Sequence, residues 1–501
     1  MSLSKHAPAA YVTALVLCLW HWGTDQVQLS HYGDDQEYLT MATSFMRHAS
    51  PDFRAGDDTA MLEALPGSFQ RSLGKKFTRG QAPFAYFASH SGKYYGYHFF
   101  TYPAAVAPLR AVLEGRQKAF RAHQYFNLIA LSIALASLLL LASQPHVFWP
   151  TVSMAFLTPV LWFTTYASTE TFVFSLGLLA LACHLSGRPV LAILFNSIAA
   201  TQYQPLALLS LFLCAQWFWV HRSGLRQAWL RALGALASTA LVFVPSIFFY
   251  TQFGVPNLIA REGLASAKFM SFRKFVGLFI DLNGGMLLYT PGLLLMSAVA
   301  TVWAISRARR HPWGLGLCVC VLLTLAASTV QRNWNHPTFG ISRYVLYAIA
   351  PALLFIGGEL RERARVSRWL VGLCAFALGL QVLVHRENGW FAYRANDAAH
   401  HSRIAAYVIE RWPWLYSPHS EIFCERTTQW CWPDPATGDT DAAHLPVVYR
   451  DPRTWMARKM LVSRCDEAKA LAVGLLTDEQ RAHIHEAMQH CSGTGPMYIN
   501  F

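Results

Sequence analysis

The sequence predicts an α-helical integral membrane protein of about eleven transmembrane helices, with a large first periplasmic loop and a C-terminal periplasmic domain. Three observations carry that expectation: a charge-poor apolar composition, a series of apolar runs of spanning length, and basic residues gathered in alternate connections.

Hydrophobic residues make up 54% of the 501 and charged residues 14%, against about 25% charge in soluble domains. Disordered, collagen-like and coiled-coil chains are thereby excluded. The mean hydropathy is only +0.26, so water-facing segments must dilute the apolar runs. A net charge of +13 in a soluble protein would point to nucleic acid or an anionic surface. Between spans it reports topology instead, and no nucleic-acid partner is implied.

The apolar runs fall near residues 8 to 23, 125 to 144, 147 to 166, 170 to 186, 189 to 204, 205 to 220, 232 to 252, 286 to 305, 313 to 330, 344 to 360 and 369 to 385. Only helices and closed barrels satisfy every backbone group in hydrocarbon, so each run reads as a helix. No small-residue cleavage pattern follows the first run, which reads as an uncleaved anchor. With the N-terminus in the cytoplasm, the inward connections hold Lys5, Arg188, Arg222, Arg226, Arg231, Arg307, Arg309, Arg310, Arg361, Arg363, Arg365 and Arg368, against the acids Glu359 and Glu362. That is the positive-inside pattern, and an odd number of spans then puts the C-terminus outside. Residues 1–385 form the membrane module, 24–124 its first outer loop, and 386–501 an outer domain with a helix expected near 465 to 490.

Six cysteines, Cys18, Cys183, Cys214, Cys318, Cys320 and Cys374, sit in or beside apolar runs and read as small buried hydrophobes. Cys424, Cys431, Cys465 and Cys491 lie in the outer domain, where an even set suggests two disulfides; four cysteines allow three pairings, of which Cys424 with Cys431 and Cys465 with Cys491 is one. Zinc is the competing reading, helped by His483, His485 and His490.

The first loop opens HYGDDQEYLTMATSFMRHASPDF. Tyr38, Met41, Ala42, Phe45 and Met46 recur at helical spacing, predicting a short amphipathic helix along the interface. It carries Asp34, Asp35 and Glu37 beside the lipid headgroups, where a carboxylate can accept a proton from a hydroxyl or hold a cation near a phosphate. The structural alternative is a helix cap. Glu170, in TYASTETFVF, is a second acid at the outer mouth of a span, where an unpaired carboxylate is unfavourable. The run KYYGYHFFTYP adds Lys93, His98 and Tyr102. QRNWNHPTFGISRY adds Arg332, Trp334, His336, Arg343 and Tyr344, and the loop near 253 to 285 adds Arg273 and Lys274. Guanidinium and ammonium groups at the outer surface suit a lipid phosphate through paired donors, or serve as snorkelling anchors. Asp439 and Asp441 read as a turn. No Walker loop, dinucleotide glycine signature, HExxH or Gly-x-Ser-x-Gly is present, which leaves cytosolic nucleotide chemistry and serine hydrolysis without support.

Together, GDDQEYLTMATSFMRHASPD after one apolar run, GKYYGYHFFTYPAAVAPLRA, DLNGGMLLYTPGLLL and FGISRYVLYAIAPALL resemble the bacterial multi-span type C glycosyltransferases of the GT-C fold, over roughly residues 10 to 385. The resemblance implies a catalytic acid in the first outer loop and a sugar taken from a polyprenyl-phosphate carrier at the outer face of the bacterial inner membrane. The acceptor would be a lipid, glycan or protein. It makes Asp34 the first candidate for general base and Glu37 the next, with Asp35 at a position that is often glycine. Glu170, Lys93, His98, Tyr102, Arg343, Tyr344, Arg273 and Lys274 are then candidates for the donor phosphate or substrate. A single displacement implies inversion at the anomeric carbon. No cofactor is firmly implied; a divalent cation belongs to the pyrophosphate-donor alternative, an oligosaccharide ligase or polymerase. A lipid or solute transporter is the alternative outside the enzymes, although the polar residues collect on one face and no paired repeat is visible.

Overall fold

Helices form where the apolar runs lie, and proline sets many of their starts: Pro145, Pro189, Pro291 and Pro312 each open a helix, the position where a missing N–H goes unmissed. The computed structural model describes residues 6–24, 34–65, 85–115, 119–334, 340–363, 367–390, 400–428, 431, 440, 444–463, 465–489, 491 and 496–501. Among these, four helices are long and apolar enough to cross a membrane: Ala122–Leu141, Trp229–Phe253, Arg343–Arg361 and Arg368–Asn388. Ala7–Gly23, Glu170–Leu185, Pro189–Gln202, Pro291–Arg307 and Pro312–Ser328 are apolar but shorter. Even 17 residues rise only about 26 Å, less than the hydrocarbon core of about 30 Å.

The expected eleven spans are thus corrected to four helices of spanning length among the described residues. Local breaks account for part of the difference; Ala7–Gly23, Glu170–Leu185, Pro291–Arg307 and Pro312–Ser328 are unbroken but hold only 16 or 17 residues. The run near 147 to 166 divides into Pro145–Phe156, with Pro150 inside it, and a separate turn Val160–Phe163. At Tyr203, Gln204 and Pro205 a 3-10 turn separates Pro189–Gln202 from Ala207–His221, because proline cannot donate to the preceding turn. His336, Arg365, Asp439, Asp441 and His490 lie outside the described residues.

The chain divides into two compact units. The first comprises Met1–Arg261, Gly292–Thr324 and Leu346–Ala392. Its helices approach closely where side chains are small: a Cβ on Gly292 would collide with the Ala377 backbone. One aromatic core runs through Tyr38, Met41, Ala42, Tyr102, Val106, Phe172, Val173 and Tyr347. The Asp34–His48 helix forms as its spacing predicts, but it is enclosed rather than half-exposed at an interface: from Asp34 to Ser44 only Gln36 escapes burial. Beside it lies a hairpin absent from the sequence reading, β1 (Tyr86–Ala88) paired antiparallel with β2 (Tyr94–Gly96). Phe53 continues the pairing by donating its N–H to the Tyr94 carbonyl at 2.8 Å.

The second unit comprises Glu262–Pro291, Leu325–Val345 and Tyr393–Phe501, so the C-terminal residues share it with two segments expected in the membrane module. Polar contacts explain the union. Tyr416 donates its hydroxyl to Asp281 at 2.9 Å and accepts from Asn283 at 2.9 Å, while the Trp334 N–H donates to Glu421 at 2.8 Å. A three-stranded antiparallel sheet, also unforeseen, places β4 (Ala457–Ser463) between β3 (Val447–Arg450) and β5 (Pro496–Asn500). β4 is buried on both faces: Leu461 packs with Ile409, Phe423 and Val447, while Met460 and Val462 pack with Ala470, Ile484 and Met488. The helix expected near 465 to 490 is two helices, Glu467–Leu471 and Asp478–Gln489. Cys424 joins Cys431 and Cys465 joins Cys491, with Cα separations of 5.9 and 5.6 Å. The pairing removes those thiolates as zinc ligands, and His485 pairs with Glu467 at 2.7 Å.

Candidate active site

Asp34, Asp35 and Glu37 occupy the first turn of the Asp34–His48 helix, where backbone N–H groups favour negative charge. The other end of that helix is tied down. His48 meets Asp57 at 2.9 Å, Arg47 meets it at 3.3 Å, and Ser44 donates to it at 2.8 Å. A fixed helix can hold its acids in a defined geometry.

The chain then brings KYYGYHFF back across that first turn. The His98 backbone N–H donates to Glu37 Oε1 at 2.9 Å, and its ring Nδ1 meets Glu37 Oε2 at 2.7 Å. The opposite ring nitrogen, Nε2, faces Asp34 Oδ2 at 3.8 Å. Asp34 Oδ1 accepts from the Tyr97 hydroxyl at 2.8 Å. Two carboxylates and one imidazole therefore form a line, Glu37, His98, Asp34. Glu37 is 1% exposed and Asp34 9%, so Asp34 is the acid at the more open end. Burial pushes the Glu37 carboxyl above its ordinary range, opposed by His98 through charge and hydrogen bonds. β2 passes so close that a Cβ on Gly96 would fall on Glu37 Oε1. Gly96 thus permits the approach that seats His98 on Glu37.

Asp35 is buried on the same turn, rotated about 100° around the helix from Asp34. Tyr102 stands behind the line, edge-on to Tyr38 at 5.7 Å and bonded through its hydroxyl to Asn127 at 3.2 Å. Tyr38 in turn lies 5.3 Å from the His98 ring. Glu170 belongs to a neighbouring set: it accepts from the Tyr347 hydroxyl at 3.1 Å, and Tyr347 stacks on Tyr203 at 3.9 Å. Lys93 is exposed at the tip of the β1–β2 hairpin, where its carbonyl accepts from the Ser89 N–H at 2.7 Å.

The four candidates for phosphate contact that remain all belong to the second unit. Arg343 opens the Arg343–Arg361 helix. Tyr344 donates its hydroxyl to the Asn333 carbonyl at 3.0 Å and stacks on Trp334. Lys274 donates to the Gln331 carbonyl at 2.9 Å and sits 5.4 Å from the Trp334 ring centre. Arg273 donates to the carbonyls of Ser417 and Pro418.

Sequence reasoning missed Tyr97 and Gly96, although both stand in the run KYYGYHFFTYP that drew attention to His98. Tyrosine and glycine are common beside hairpin turns, so neither carried a signal without its spatial neighbour. Among the described residues no group of three His, Cys, Asp or Glu side chains is placed to hold a metal ion. No protein-family model, curated protein or solved structure matches the chain. Chemically, the line can accept a proton at Asp34, with His98 held by Glu37 to share or relay it.

Proposed function

We propose that the chain is an inverting glycosyltransferase that moves a sugar from a polyprenyl-phosphate carrier to a hydroxyl of a lipid, glycan or protein at the outer face of a bacterial inner membrane. One observation carries the reading: a buried acid and an imidazole converge on a second, more open acid at the start of one fixed helix. In that reaction Asp34 takes the proton of the acceptor hydroxyl as its oxygen attacks the anomeric carbon, and the bond from that carbon to the carrier phosphate breaks. Tyr97 orients Asp34, and Glu37 orients His98. A cationic side chain stabilises the departing phosphate; Lys93, on the β1–β2 hairpin of the same unit as the acids, is the candidate there.

A second reading assigns the proton to His98 Nε2, with Glu37 behind it as orienter, and the 2.7 Å contact between Glu37 and Nδ1 favours it. Sugar transfer by full-length protein in bilayers, with mono- and diphosphate carriers compared, tests both. Asp34→Asn is expected to lose at least about 100-fold in rate. Full activity in Asp34→Asn with loss in His98→Gln would transfer the role to His98, and activity surviving both substitutions would end the proposal. Transfer from a diphosphate carrier alone would favour the ligase or polymerase reading.

A further inference from the structure

The second unit exposes an aromatic and aliphatic surface assembled from two segments far apart in sequence. The Phe272–Ile280 helix turns Lys274 and Leu278 inward and leaves Phe272 81% and Ile280 54% exposed. The other segment follows the Arg403–Arg411 helix, where Trp414 is 68% and Leu415 62% exposed. Trp412 is also exposed, with Tyr407 edge-on to it at 5.7 Å. Arg273 fastens the first segment to the second: its guanidinium donates to the Ser417 carbonyl at 2.7 Å and to that of Pro418.

The exposed charges on this surface are positive. Lys268, Arg273, Arg403 and Arg411 are exposed. The acids nearby are recessed: half-buried Glu410 accepts from the Tyr449 hydroxyl at 3.0 Å, and buried Asp281 accepts from Tyr416, Asn283 and Gly284. Indole and phenol rings among arginines and lysines are the composition that settles at a lipid headgroup layer, apolar bodies inward and cations toward phosphate. Rings and arginines are also enriched at protein interfaces, so it is the positive charge, in a chain with helices long and apolar enough to cross a membrane, that selects the lipid.

We propose that this surface docks on the headgroup region of a bilayer rich in anionic phospholipid. The proposal requires a membrane-embedded chain and is independent of sugar transfer. Full-length protein with benzoylphenylalanine in place of Trp414 or Phe272 is irradiated in nanodiscs of phosphatidylcholine, with and without phosphatidylglycerol, and adducts are identified by mass spectrometry. Leu475, 79% exposed on the same unit, is the control position. Phospholipid adducts about fivefold above the control are expected at both positions, rising with the anionic lipid. The double variant Arg403→Gln, Arg411→Gln is expected to flatten that rise while leaving sugar transfer unchanged. Yields at 414 and 272 no higher than at 475, or adducts to another polypeptide when the same chain is irradiated in native membranes, would overturn the proposal. An unaltered lipid preference in the arginine variant would overturn its electrostatic basis.

Discussion

At the scale of residues, the line from Glu37 through His98 to Asp34 makes two predictions besides the loss in Asp34→Asn. Gly96→Ala puts a methyl group on Glu37 Oε1, an overpacking expected to destabilise by about 1 to 3 kcal/mol and to depress transfer. Shortening the acid with Glu37→Asp in the same chain is expected to recover part of both, read from melting in detergent and from transfer rate. The second concerns pH. Glu37 keeps its proton to a higher pH in the folded chain than its ordinary value near 4.5, chiefly through burial. Between that value and the raised one the folded state binds more protons than the unfolded state, so stability falls as pH rises through the window. Melting temperature followed from pH 4 upward is expected to decline in the wild type and to lose that slope in Glu37→Gln. The acids themselves were legible, because three carboxylates before an amphipathic run are conspicuous in a chain with 14% charge. Their ranking, Asp34 before Glu37, came from the resemblance alone; the contact that distinguishes them is to His98, 61 residues from Glu37, which only folding brings onto Glu37 and toward Asp34.

At the scale of elements, the apolar runs placed most helices, but two sheets went unread. β4 is buried on both faces, so its sequence ARKMLVS shows no alternation and includes a lysine. Lys459 is accommodated because its ammonium donates to Pro413, to Ser417 at 2.9 Å and to Asn500 at 2.7 Å. Lys459→Met leaves those buried acceptors without a donor and is expected to destabilise the second unit by about 1 to 3 kcal/mol. Hydrogen exchange in residues 457–463 and 496–500 measures this, and unchanged protection would show that the ammonium contributes nothing there. Helix lengths were overread for a related reason. Mean apolarity ignores where a 3-10 turn or a proline interrupts the hydrogen-bond ladder, as at Pro205 and within Pro145–Phe156.

At the scale of the whole molecule, the twelve basic residues of the proposed inward connections predict sidedness. Alkaline phosphatase, active only outside the cytoplasm, is expected to be inactive when fused after Arg226 and active after Phe501. The reverse pattern would invert the orientation on which the outer-face chemistry depends. Composition and apolar run length by themselves determined a helical chain with helices long enough to cross a membrane, and the even cysteine set pointed to two disulfides. These are local or additive properties, readable one segment at a time. Tertiary structure alone decided which segments share a unit with the C-terminal residues, that His98 lies between two acids, and that Arg273 joins two exposed apolar segments. Each depends on contacts between residues some sixty to 145 positions apart, and the free energy of such contacts comes from burial and hydrogen bonding that no single stretch of sequence contains.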